Sequence, residues 1–155
     1  MRPTGLPILW KPRPVSELVI ADLSEDEIDA AIELWRTVNL TRPWNDPHAD
    51  ARLAMAGATS TILAGRLDDR LVATVMVGAE GHRGWVYYLG VAPDCRGRRY
   101  GEAMMRAAEQ WIIARGMPKL QLMVRHDNAA AIGFYEAIGY KQEEVAVLSR
   151  RFDGR

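Results

Sequence analysis

The sequence predicts a mixed α/β fold in one domain, with an antiparallel sheet extended by helix and strand units. Three observations carry this. Apolar, β-branched runs joined by short turns lie between Thr59 and Ala92, amphipathic helical stripes flank them, and beyond Val91 hairpins give way to alternating helix and strand. The expected order is β-α-α-β-β-β-α-β-α-β over residues 17–152, after a proline-rich arm over residues 1–16. A chain of 155 residues has room for one sizeable core and hardly for two.

Each element has its own warrant. Four of the eight prolines fall in the first sixteen residues, which fixes φ repeatedly and removes backbone donors, so that stretch reads as an extended arm. Its short apolar patch, Leu6 to Trp10, is broken by Pro7 and reads as neither anchor nor signal peptide. "ELVIADL" is a first strand. In "SEDEIDAAIELWRTV", Ser24 and Glu27 form a capping box, and Ile28, Ala31, Ile32 and Trp35 recur at helical spacing. Asp46 caps a second helix with Pro47 at its first position, running to about Ala56. "TSTILAGRL" and "RLVATVMVGAEG" form a hairpin about Asp68-Asp69, and "GWVYYLGVA" follows the turn Gly81-His82-Arg83-Gly84. "GEAMMRAAEQWIIARG" is a helix with Ala103, Met104, Ala107, Ala108, Trp111 and Ile112 inward, stopped by Gly116 and Pro118. "KLQLMV" is a strand, "NAAAIGFYEAI" a helix capped by Asn128, and "EEVAVLSRRF" a closing strand.

Composition excludes several function classes. Twenty basic and twenty acidic side chains cancel, so no global field draws the chain to nucleic acid or an anionic membrane. One cysteine, Cys95, allows no internal disulfide, and three histidines (His48, His82, His126) lack metal-ligand spacing, so no metal is expected. A cytoplasmic location is the natural reading, and no apolar run approaches the roughly 18 residues that span a bilayer.

The local charge sits in one place. Arg96-Gly97-Arg98-Arg99-Tyr100-Gly101 lies between a strand and a helix N-terminus, where free amides and the positive end of the helix dipole converge. Taken alone, the loop reads equally as an anion site or as a tight turn with solvated arginines. A P-loop would need Gly-Lys-Ser or Gly-Lys-Thr, and a dinucleotide fold Gly-x-Gly-x-x-Gly; neither stands here.

With "NAAAIGFYEAIGY" further along, Val91 to Gly101 resembles the GNAT acetyltransferase superfamily, whose loop reads Arg or Gln, two residues, Gly, one residue, then Gly or Ala. The segments "RPWNDP", "GHRG" and "YYLGV" are similar to those of small bacterial members. Arg99 departs from the pattern, standing at the family's middle glycine. If the position requires φ > 0, an arginine there is strained; if it tolerates the αR region, the arginine adds charge.

The resemblance implies a fold with splayed central strands and acetyl-CoA as donor. Its pyrophosphate would rest on the amides from Arg96 to Gly101, including Gly97, Arg98, Arg99 and Tyr100. Its pantetheine arm would pair with backbone of Leu89 and Val91, and an amide near Gly90 or Val91 would polarise the thioester carbonyl. Tyr135 matches the family's acid tyrosine and Asn128 a residue at the pantetheine or the helix cap. The reaction implied is direct attack by a primary amine, of a small molecule or of a protein or peptide, in a ternary complex. Trp44, Asn45 and Asp46, with Glu80, His82 and Tyr88, are the candidates on the acceptor side, and no residue is singled out as base. A homodimer, or the proline-rich arm, would close the site. A non-catalytic acyl-CoA-binding module is the alternative, discriminated by binding without transfer. An arginine-loop nucleic-acid binder is the weakest reading, because no aromatic platform accompanies the arginines.

Overall fold

The computed structural model describes residues 17–155; the arm expected over residues 1–16 lies outside the described residues. Five strands form one mixed sheet in sequential order: β1 (Val19–Asp22), β2 (Ser60–Leu67), β3 (Arg70–Ala79), β4 (Gly84–Val91) and β5 (Leu120–Leu122). The first four are antiparallel neighbours, as short connections demand, and β5 joins β4 in parallel after a helical crossover. Helices α1 (Ile28–Thr37) and α2 (Pro47–Ala56) come before β2. Helix α3 (Tyr100–Ala114) leads from β4 to β5, and α4 (Ala129–Ala137) follows β5.

Local chemistry explains these boundaries. The Ser24 amide donates to Glu27 Oε1 at 3.1 Å, so the capping box forms and a short 3-10 turn, Glu25–Glu27, leads into α1. Asp46 Oδ1 accepts from the amides of His48 (3.0 Å) and Ala49 (3.1 Å), opening α2. Asp68 and Asp69 both adopt positive φ, 47° and 66°, the geometry of a tight hairpin turn that matches strand twist.

Alternation along the strands divides two layers. Ile62 and Ala64 pack with Ile28, Ile32 and Trp35 of α1 on one face; Leu63, Val75 and Val77 pack with Met104, Met105 and Ile112 of α3 on the other. Gly84 lets α3 lie close, since a Cβ there would stand 2.7 Å from Ile112 Cγ1. The order matches the expectation through α4. The stretch expected as a closing strand departs from it: residues 143–152 are exposed and carry no strand pairing, although Glu143 accepts from Gln121 Nε2 at 3.1 Å and pairs with Lys119 beside β5.

Candidate active site

The sheet opens where the loop begins. Strand β4 pairs with β5 only at Gly84, Trp85 and Val86, opposite Leu120, Gln121 and Leu122; beyond that β5 ends and β4 continues to Val91. From Tyr87 to Val91, the segment that includes Leu89, Gly90 and Val91, β4 therefore has no strand partner on its β5 side.

On the opposite side of β4 the ladder is also interrupted. Tyr87 pairs with Met76 and Gly90 with Thr74, so Tyr88 and Leu89 together oppose the single residue Val75. This is a β-bulge, and Tyr88 sits in it at φ 51°, a region that L-residues enter at a cost. The bulge breaks strict alternation. Val86 and Leu89 both pack against the α3 layer, whereas Tyr88 is turned onto the α1 layer, its ring stacked on Trp35 at 4.0 Å between centroids. Tyr88 donates its phenolic proton to Asp50 Oδ2 of α2 at 2.7 Å, and burial pushes its pKa well above the usual phenol value.

Past Val91 the chain turns through Pro93–Cys95 and reaches the arginine loop. Gly97 has φ 76° and Arg99 has φ 63°, so the position of the family's middle glycine does take the left-handed conformation. Arg99 accommodates it with its guanidinium laid on Glu102, Nη2 to Oε2 at 2.7 Å. Helices α2 and α4 are capped by the side chains of Asp46 and Asn128, but Arg99 makes no capping hydrogen bond to α3. The first amides of α3 thus face the loop without a capping side chain. A cleft of about 380 Å³ lies there, lined by Val91, Arg96, Gly97, Tyr100, Gly101 and Phe134 among others. Arg98 is exposed beside it. Cys95 is buried against Leu34 and Val72 and belongs to the core.

These features fit a phosphorylated, extended donor. An uncapped helix start supplies amides for an anion, and the cleft there reaches Val91, at the end of β4 that has no partner on its β5 side. The fit is one of backbone polarity at the cleft. Among the described residues, no group of three or more His, Cys, Asp and Glu is placed to hold a metal ion.

Helix α4 closes the far wall. Asn128 Oδ1 accepts from the Ala131 amide at 3.1 Å and thereby caps α4. Tyr135 is partly buried in the α3 layer, edge-on to Phe134 and Tyr140 with centroids 5.0 and 5.9 Å away, and burial pushes its phenol up to about 12.

The remaining sequence candidates separate into two groups. Trp44 is half-exposed between α1 and α2, with the Arg125 guanidinium 5.5 Å from its ring, so the α1–α2 loop meets the loop before α4. Asn45 Oδ1 accepts from Arg151 Nη1 at 3.1 Å, and the Asp46 carboxyl is held below its ordinary value, first by the Ala49 amide it caps. Glu80 and His82 belong to the turn before β4. The start of β4 next to them is four residues from the bulge at Tyr88, about 13 Å at roughly 3.3 Å per residue, and the structure does not bring them to the other candidates. Thr74 and Asp50 are not singled out by their sequence context. A threonine within the apolar run "RLVATVMV" is the available signal for the first.

Comparison with known proteins places the same features in company. A family model described as "Acetyltransferase (GNAT) family" matches residues 26–140. Curated acetyltransferases of Yersinia pestis and Pectobacterium atrosepticum are each 42% identical over 127 residues, covering 82% of this chain and 90% of theirs. Among solved structures, the aminoglycoside N-acetyltransferase AAC(6')-Iy in complex with CoA superposes with a TM-score of 0.77. It is 15% identical, with 91% of this chain and 98% of that one covered. A ribosomal-protein-alanine N-acetyltransferase from Brucella melitensis gives 0.69 at 21% identity, covering 86% and 99%. At such identities these two likenesses concern the fold.

Proposed function

This chain belongs to the acetyltransferase (GNAT) family, and from that premise we propose that it transfers the acetyl group of acetyl-CoA to a primary amine by direct attack within a ternary complex. The observation that carries the proposal is the succession, in one stretch of chain, of the bulge at Tyr88, the end of β4 left without a partner on its β5 side, and the start of α3 left without a capping side chain.

In this reading the amides from Arg96 to Gly101, with Arg96 and Arg98, receive the pyrophosphate. Several must act together, because a helix dipole alone contributes only about 0.3 to 1 kcal/mol at an exposed site. Leu89 and Val91 offer backbone to the pantetheine arm. The donor supplies an acetyl thioester, and the rest concerns protons and positions. The amine nitrogen forms a bond to the acetyl carbon as the carbon–sulfur bond breaks, and the ammonium proton leaves to solvent. Tyr135 faces the departing sulfur. With its phenol pushed up to about 12, it is a weaker acid than a thiol near 8.5. It therefore stabilises the developing thiolate by hydrogen-bond donation, and solvent completes the protonation.

A small-molecule amine is the acceptor class we favour, with the half-exposed Trp44 and Asn45 on its wall. Two measurements test the reading. Calorimetry should detect acetyl-CoA binding, and a panel of small amines and peptides should then yield an acetylated product; binding with transfer to none of them overturns the transferase reading. Replacing Tyr135 by Phe should lower turnover by about 10². The wild-type rate should show no basic limb from this phenol below about pH 11; equal turnover in the two proteins removes Tyr135 from the role.

A further inference from the structure

Thr74 is fully enclosed at the centre of β3, a hydroxyl set among apolar core residues. That hydroxyl is fully engaged. Trp35 Nε1–H donates to Thr74 Oγ1 at 2.9 Å, and the Thr74 hydroxyl donates in turn to the backbone carbonyl of Tyr88 at 2.9 Å. The chain of donors runs from α1 through β3 to the bulge in β4. Each bond polarises the next in a medium of low dielectric. The Tyr88 ring is held as well, stacked on the same indole and hydrogen-bonded to Asp50.

A positive φ at a tyrosine is costly and persists only where surroundings over-determine it. Here three contacts do so. Their shared effect is to draw the Tyr88 carbonyl toward β3 and α1. The Tyr88–Leu89 peptide is trans, since the described residues include no cis bond, and in a trans peptide the C=O and the following N–H point in opposite directions. The Leu89 amide is thereby aimed away from β3, the side on which β5 parts from β4.

Resting on the acetyl-transfer reading above, we propose that Thr74, held by Trp35, is a positioning residue that clamps the Tyr88 carbonyl and so aims the Leu89 amide at the thioester carbonyl oxygen. This assigns the polarising donor to Leu89, one residue earlier than Gly90 or Val91. The strained bulge then has a purpose, because a fixed donor costs no reorganisation as charge develops on oxygen.

The test combines substitution with a direct view of the amide. Thr74→Val keeps the side chain's shape and removes its hydroxyl, whereas Thr74→Ser keeps the hydroxyl. With the best acceptor from the amine panel, Thr74→Val should lose about tenfold to a hundredfold in kcat, as a displaced catalytic group does. Its affinity for CoA should stay within about threefold, as expected when an interaction made only in the transition state is lost. Thr74→Ser should recover most of the rate. In the ¹⁵N-labelled wild-type protein, the Leu89 amide proton should move downfield with acetyl-CoA and not with CoA. Unchanged kcat in Thr74→Val, or no acetyl-dependent shift at Leu89 when acetyl-CoA demonstrably binds, overturns the clamp alone. If Thr74→Val does not fold, the same pair of measurements on Thr74→Ser decides the question: a Leu89 shift and a rate both retained there support the clamp, and the absence of the acetyl-dependent shift in the wild-type protein overturns it. Failure of the wild-type protein to bind acetyl-CoA overturns the acetyl-transfer reading itself, and the clamp with it.

Discussion

Left-handed backbone occurs at two neighbouring places in the arginine loop, and they carry different residues. At Gly97, φ is 76° and a Cβ would meet nothing within 4 Å, so the position asks for conformational freedom and not for space. At Arg99, φ is 63° with a full side chain present. The arginine meets that cost with an exposed pair to Glu102, and such pairs are worth about 0 to 1 kcal/mol. The two positions should therefore rank glycine and alanine in the same order. Gly97→Ala should destabilise the protein by about 1 to 2 kcal/mol. Arg99→Gly should be more stable than Arg99→Ala by about 1 kcal/mol, both having lost the Glu102 pair. Urea midpoints of the four proteins check this, and an alanine equal to glycine at 99 would mean that the position is not left-handed in solution. The sequence raises this question without answering it, because an arginine is silent about φ where a glycine is not.

At the scale of elements, capping chemistry is legible because it is local. Ser24 with Glu27, Asp46 and Asn128 each name a helix start within three residues of chain, and each forms as expected. The partner of Glu27 is not legible, since it lies 39 residues away: Arg66 of β2 donates from Nε to Glu27 Oε2 at 2.8 Å and from Nη2 to the Asp22 carbonyl of β1 at 3.0 Å. One guanidinium thus joins β1, β2 and the entry to α1. The Arg66 hydrogen bond is the largest cause that holds the Glu27 carboxyl at about 2, against an ordinary 4.5. A carboxyl depressed on folding contributes stability that is fully present above its unfolded value and is lost as pH falls through the folded one. The contribution should therefore be complete above about pH 5 and fade between about 4.5 and 2. Thermal unfolding of Glu27→Gln beside wild type should show a gap in Tm at pH 7 that narrows by pH 3. A gap independent of pH would assign the contribution to something other than the carboxylate charge. The bulge at Tyr88 is equally hidden. The hydrogen bonds that meet it come from two other elements, and "VYYLGV" by itself reads as plain alternation.

Across the whole molecule, order is distributed from the middle of the sheet outward. Strands β2 and β3 each have a paired neighbour on both sides and supply much of the buried core. Strand β5 pairs along three residues on one side only. Residues 143–152 lie beyond it with side-chain ties to Lys119 and Gln121. Val145 and Val147 line a cavity of about 830 Å³ shared with Tyr135 and Tyr140. The alternation in "EEVAVLSRRF" reads as a closing strand because periodicity is a pattern of side chains; it does not report whether a neighbour's amides are within reach. The loop and the order of elements, in contrast, are legible because both are written in contiguous residues. This gradient has a measurable form in amide exchange, where protection falls from global to local opening as burial and paired neighbours decline. Protection should be greatest in β3, intermediate in β5, and least in residues 143–152. Acetyl-CoA should slow exchange chiefly in the Arg96–Gly101 loop and along Leu89 to Val91, because a ligand protects the amides it engages and raises the cost of opening around them. Exchange in residues 143–152 as slow as in β5 before any ligand is added would show that their amides are paired on the open edge, and the sheet would then have the sixth strand that the alternation suggests.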